Sequence, residues 1–157
     1  QDPATYNDSY LQKRNPVSLE GIFQLTLGAS MPVYNGGLVH SRLRYFDADR
    51  RRSGLPADVA ALVERMDRGS VDLCLVNLHE AEPRGTVLRA GFYGEPAFRR
   101  AEALEAAGSG PIDFGDNGTV DLHAEIPPRS QLRVRLSLKR HVNRPRLGLP
   151  DWAENSP

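Results

Sequence analysis

The sequence predicts a mainly β fold, an antiparallel β-sandwich with a short N-terminal helix. Three observations carry that expectation. In QLRVRLSLKR (131–140), Leu132, Val134, Leu136 and Leu138 alternate with Arg133, Arg135, Ser137 and Lys139, as in a strand with one dry and one wet face. VDLCLVNL and TVLRAGFY flank HEAEPRG, a polar segment with a proline that turns the chain. About six or seven such short runs recur between turn signals, the pattern of a sandwich with Greek-key or meander links. At 157 residues the chain suffices for one domain with its own core, and two would be crowded.

Taken in order, residues 1–15 are polar, lack a sustained period and read as an arm or linker. Residues 16–28 follow as a helix: Asn15 caps it, Pro16 takes its first position, Glu20 lies in the first turn and Gly28 stops it. Leu19, Ile22, Phe23 and Leu27 keep helical spacing, and Val17 and Leu25 widen the apolar stripe until it needs cover on more than one side. The turn-rich SMPVYNGG opens a β-sandwich domain over 29–147. LVHSRLRYF is its first strand, with Val39, Ser41, Leu43 and Tyr45 on one face and His40, Arg42 and Arg44 on the other. DADRRRSGLPAD is an exposed loop.

VAALVERM admits two readings. Val59, Leu62, Val63 and Met66 fit a helix, whereas Val59, Ala61 and Val63 fit a strand that would form a hairpin with VDLCLVNL across DRGS. The alanine- and glutamate-rich part of PAFRRAEALEAAGSG favours helix by propensity. IDFGDNGTVDLHAEI reads as a hairpin turned at Asn117-Gly118. Residues 148–157 form an extended tail that carries Trp152.

Composition excludes several function classes. Twenty basic residues balance twenty acidic ones, so no net field draws the chain to nucleic acid or to anionic lipid. No run approaches the ~18 apolar residues of a membrane span. One cysteine precludes an internal disulfide and fits a reducing compartment such as the cytoplasm. The polar start, without an initiating Met, leads to the expectation that the chain is cut from a longer one.

Searching for chemistry yields no catalytic residue, no metal site and no cofactor motif. Cys74 lies in the apolar run LCLVNL and reads as an inert core thiol. His40, His79, His123 and His141 have no metal-ligand spacing and read as surface or structural residues. Asp113-Phe114-Gly115 lacks the companion motifs of a kinase and belongs to a turn, and DFGDNGTVD lacks the ligand spacing of a calcium loop. Arg50-Arg51-Arg52 and the arginines of RVRLSLKR read as solvated faces. Among the aromatics, Tyr93 and Trp152 are the candidate ligand-binding residues, as stacking surfaces for a carbohydrate.

The helix ending in QLTLGA, the YNGG turn, the strands LVNL and TVLRAGFYGE and the final LRVRLSLKRHVNRP together resemble the C-terminal β-domain of larger bacterial proteins related to glycoside hydrolases, over roughly residues 16–147. In those proteins a helical-toroid or barrel catalytic domain precedes a β-sandwich. The resemblance implies a non-catalytic accessory role, with the acid and base residues upstream and the 16–28 helix ending the preceding domain. AEALEAAGSG is longer than a sandwich connection needs. The readings that follow are an accessory domain partnered by an upstream catalytic domain of the same chain, a carbohydrate-binding module, and a free-standing small enzyme with converging His and carboxylate side chains.

Overall fold

The computed structural model describes residues 3–5, 20–29, 40–104 and 111–152. The arm at 6–15, the capping pair Asn15-Pro16, the turn at 30–37, Tyr34, Val39, the 105–110 connection and the chain end at 153–157 lie outside the described residues. Beyond a 3-10 turn at Pro3–Thr5, the elements are α1 (Glu20–Leu27), β1 (Leu43–Asp47), β2 (Arg52–Ser53), β3 (Val59–Met66), β4 (Ser70–Asn77), β5 (Arg84–Ala90), β6 (Ala97–Ala103), β7 (Ile112–Asp113), β8 (Asp121–Ile126) and β9 (Ser130–Lys139).

The strands form two antiparallel sheets, ordered β2-β1-β5-β8 and β3-β4-β9-β6-β7, as the sequence pattern of a sandwich predicts. The alternation in β9 is realised as expected: Val134, Leu136 and Leu138 are buried, while Arg133, Arg135 and Ser137 remain partly exposed. They meet Leu43, Tyr45, Leu88, Ala90 and Ile126 of the opposite sheet, with Val71, Leu73, Leu75 and Phe98 beside them, in one apolar core. Removing such side chains from water supplies about 25 cal/mol per Å² of apolar surface, the main term holding the sheets together.

The 59–66 segment resolves as a strand. Val59 and Val63 turn inward, Ala61 packs against the core, and residues 59–66 pair with residues 71–77 of β4, which forms the hairpin. Leu62 and Met66, the residues that completed the helical stripe, are exposed instead. A register shift between Val63 and Arg65 places a bulge at Glu64 and re-aims the end of the strand.

Two expectations are overturned. Ala101–Ala103, the start of the alanine- and glutamate-rich piece where propensity favoured a helix, belongs to β6, lodged between β9 and β7 with Phe98 and Ala101 turned into the core, and the piece from residue 105 onward lies outside the described residues. Pairing and burial override the small propensity of Ala and Glu. The 112–126 segment is not a hairpin either: β7 pairs with β6 in one sheet and β8 with β5 in the other, so the chain crosses between layers. Its left-handed residues are Gly115 and Gly118, not Asn117. A Cβ on Gly118 would stand 2.6 Å from the Phe98 carbonyl oxygen, so the crossing requires glycine there. Gly115 closes a turn by donating its N–H to Asp113 Oδ1 (2.8 Å), which accounts for the Asp-Phe-Gly sequence.

Cys74 is buried, as expected, but on the outer face of β4, between its register partners Leu62 and Arg133, rather than in the core between the sheets.

Candidate functional site

The outer face of the four-stranded sheet holds both aromatic candidates. Along β1 the core-facing Leu43 and Tyr45 alternate with Arg44 and Phe46. Register sets Arg44 opposite Arg89 and Phe46 opposite Val87 on β5. Arg89 in turn faces Asp121 of β8. Although it lies on an outer face, Arg89 is fully buried.

Its charge is matched. Arg89 Nε and a terminal nitrogen donate to the two carboxylate oxygens of Asp121 (2.7 and 2.8 Å), its other terminal nitrogen donates to the Gly148 carbonyl, and its guanidinium lies 4.8 Å from the Phe46 ring centroid. The bidentate fork is the geometry in which arginine binds a carboxylate most strongly.

Arg44 is sandwiched between Phe46 (4.8 Å) and Phe92 (4.7 Å) and donates to the Ser53 hydroxyl. Burial lowers its pKa first, and the neighbouring charge of Arg89 lowers it further. Trp152 stands edge-on to Phe46 (centroids 6.4 Å apart, 81° between planes), and Tyr93 edge-on to Phe92 (5.0 Å, 69°). The result is a continuous row, Trp152, Phe46, Arg44, Phe92 and Tyr93, in which rings and a guanidinium pack by edge-to-face and cation–π contacts.

The tail lies across this row. Arg146 donates its backbone N–H to the Tyr93 carbonyl (2.7 Å) and a side-chain nitrogen to Asp121 (3.1 Å), Gly148 receives Arg89, and Pro150 is buried. Tyr93 and Trp152 are thus brought to one face, each half-buried and perpendicular to the ring beside it. Sequence reasoning passed over Arg44 and Arg89. The available signal was a charged residue at Arg89 within the apolar run Val87-Leu88-Arg89-Ala90.

The second candidate surface surrounds α1, which closes the seam between the sheets. The Tyr45 hydroxyl donates to the Thr26 carbonyl, and the Arg42 N–H donates to the Leu27 (3.1 Å) and Gly28 (3.3 Å) carbonyls. Leu27 packs against the core. Ile22 and Leu25, three residues apart and so on a common face, are 54% and 55% exposed. Met66, 46% exposed at the end of β3, approaches the Gly28 backbone so closely that a Cβ there would lie 2.8 Å from its sulfur.

Among the histidines, His79 has a local role: its Nδ1 accepts the Glu82 N–H (2.9 Å) where the chain leaves β4. Beside it the buried Asn77 side chain donates to the Glu82 and Ile126 carbonyls (2.9 and 3.0 Å) and ties the two sheets together. His123 lies on the outer face of β8, opposite Val87. Among the described residues no three His, Cys, Asp or Glu side chains are grouped to hold a metal ion, and no helix is long and apolar enough to cross a membrane. No protein-family model, curated protein or solved structure matches the chain.

Proposed function

We propose that this chain is a non-catalytic accessory domain of a larger carbohydrate-active enzyme, docked through α1 against a catalytic domain upstream in the same polypeptide. The observation that carries this reading is the position of α1. It is fastened to the sandwich on one side by Leu27 and the Tyr45–Thr26 bond, and it presents Ile22 and Leu25 on the other. A pair of large aliphatic side chains at helical spacing, each more than half exposed, is what a helix-in-interface arrangement supplies. The carbohydrate class comes from the sequence resemblance.

The test is to recover the native polypeptide from its source with an antibody against the 40–104 segment and map its peptides. The reading expects a chain longer than 157 residues with peptides upstream of Gln1. A polypeptide that begins at Gln1 would overturn it. In the longer protein, Ile22→Ser/Leu25→Ser should loosen the two domains, seen as separate melting transitions. The same pair in the isolated chain should change unfolding free energy by less than about 0.5 kcal/mol, as for surface substitutions generally.

A carbohydrate-binding role is the second reading, supported by the gathering of Tyr93 and Trp152 in one aromatic row. It expects saturable glycan binding that Tyr93→Ala abolishes while the fold is retained. A glycan screen without a hit would exclude it.

A further inference from the structure

Three segments far apart in sequence meet at one end of the sandwich: His40-Ser41-Arg42 entering β1, Glu95-Pro96 before β6, and Arg140-His141 after β9. They line a cleft of about 30 Å³. One water requires roughly 10–15 Å³ by that measure, so the cleft has room for about two or three water-sized groups, enough to seat oxygens of an oxyanion while the rest of the ligand stays outside. His40, Arg140 and His141 are exposed at its mouth, whereas Arg42 is half-buried.

The charges in this cleft are unbalanced. Elsewhere several strand arginines are matched by carboxylates, Arg89 by Asp121, Arg135 by Asp72, Arg133 by Glu64 and Arg84 by Asp58, and Arg44 lies between two aromatic rings. Among the described residues neither Arg42 nor Arg140 has such a partner. The Arg42 side chain donates to the Asp67 carbonyl (3.1 Å). Both Arg42 and Arg140 line the cleft, and the Arg42 pKa is lowered by burial first and by the nearby charge of Arg140 second. Among the described residues Glu95 is the only acidic one lining the cleft, and its Oε2 is turned back to accept the Tyr93 N–H (3.2 Å).

The backbone holds this arrangement in place. The Glu95 carbonyl accepts the N–H groups of Val142 and Asn143 (both 3.0 Å), and Asn143 Nδ2 donates to the Pro96 carbonyl (3.1 Å). His141 takes a left-handed φ of 55°, a conformation that non-glycine residues keep only where the surroundings impose it.

We propose that this cleft binds a phosphate group, as free inorganic phosphate or as the phosphoryl of a phosphomonoester, with Arg42 and Arg140 as its principal donors and the His40 and His141 imidazoles at its rim. A tetrahedral, multiply charged anion meets two guanidiniums that approach from different segments. A planar, singly charged carboxylate is satisfied by one bidentate fork.

The test is an NMR titration of the whole chain with inorganic phosphate at fixed pH and ionic strength, read on the imidazole C–H resonances of its four histidines. His40 and His141 should shift saturably, and His79 and His123 should not. Arg140→Gln, at an exposed position, should weaken binding about tenfold, roughly the loss of one charge-assisted hydrogen bond. Arg50→Gln, in the β1–β2 turn at the opposite end of β1, should leave binding unchanged. A hexose monophosphate that binds more tightly than inorganic phosphate identifies a phosphomonoester ligand, and one that binds more weakly identifies free phosphate. The proposal is overturned if all four histidines drift together, if Arg140→Gln titrates like the parent protein, or if acetate binds as tightly as phosphate.

Discussion

Asp121→Ala should be among the most damaging single changes in this protein. It removes the carboxylate that takes two hydrogen bonds, at 2.7 and 2.8 Å, from the fully buried Arg89. Breaking a buried ion pair from one side costs about 3–5 kcal/mol, because the remaining charge is left uncompensated. Arg89 keeps the Gly148 carbonyl and the Phe46 ring, which places the expected loss near the lower limit, at ~3 kcal/mol. Arg146 also loses Asp121, but its side chain is 52% exposed and water replaces the bond at little cost. For a domain of this size ~3 kcal/mol corresponds to a fall in Tm of about 6–12 °C. Trp152 is the only tryptophan and, carried by the tail, rests edge-on against Phe46, so urea unfolding followed by its emission reports both global stability and tail docking. Arg89→Met/Asp121→Leu, which removes both charges, should cost less than Asp121→Ala alone, giving a coupling energy of about 2 kcal/mol or more in a double-mutant cycle. An Asp121→Ala protein within about 1 kcal/mol of the parent, or strictly additive effects in the cycle, would refute the assignment of Arg89 as a buried, carboxylate-dependent charge.

Two further predictions concern the chain crossing and acid stability. Gly118→Ala should lower stability by ~2 kcal/mol or more, since it adds a clash with the Phe98 carbonyl to the strain of φ 67°. Gly115→Ala, at φ 71° with open space around it, should cost only ~1 kcal/mol, so equal shifts of the urea midpoint would contradict the steric account. Asp72 is held below the ordinary carboxylate pKa chiefly by its hydrogen bonds from Arg135, against the opposing effect of burial. The unfolded chain then binds this proton more readily, so the stabilisation is complete above the ordinary carboxylate pKa and lost as pH falls through the lower folded value. Asp72→Asn should flatten the acid limb of a stability–pH profile, and an unchanged slope would count against the pair.

How much of this was legible in the sequence depended on whether the deciding forces were local. β9 reads cleanly because each inward Leu or Val is followed by an Arg, Ser or Lys that remains partly or fully exposed. β3 is ambiguous because exposed Leu62 and Met66 imitate a helical stripe, and only pairing with β4 selects between the periods. In β6, alanine and glutamate favour helix locally, while the neighbouring β9 and β7 impose a strand from positions far away in sequence. The Asn117-Gly118 pair suggested a hairpin because turn chemistry is local, but which sheet receives the next strand is not. The same distinction divides the sites. Tyr93 and Trp152 are visible as aromatics, whereas their edge-on packing depends on Phe46, Arg44 and Phe92. Likewise nothing local links His40 to His141, which meet only because β1 begins and β9 ends at the same side of the sandwich.

The surfaces left available for recognition follow from what the other surfaces already do. The outer face of the four-stranded sheet is crossed by the tail, whose contacts occupy Arg89, Asp121 and Phe46. The outer face of the five-stranded sheet is laced by the ion pairs of Arg135 with Asp72 and Arg133 with Glu64. The exposed aliphatic pair of α1 and the unmatched arginines of the cleft remain, and these two features adjoin. Arg42 lines the cleft while its N–H holds the carbonyls that end α1, and its Cβ and Cγ lie 3.2 Å from where a Gly28 Cβ would be. A domain docked on α1 and a phosphate bound in the cleft would therefore act on the same few backbone bonds. Any coupling between them must be reciprocal, each changing the affinity for the other by the same factor. Gly28 sits where the two features meet, and its left-handed φ of 62° and its contacts with Met66 and Arg42 leave no room for a side chain there.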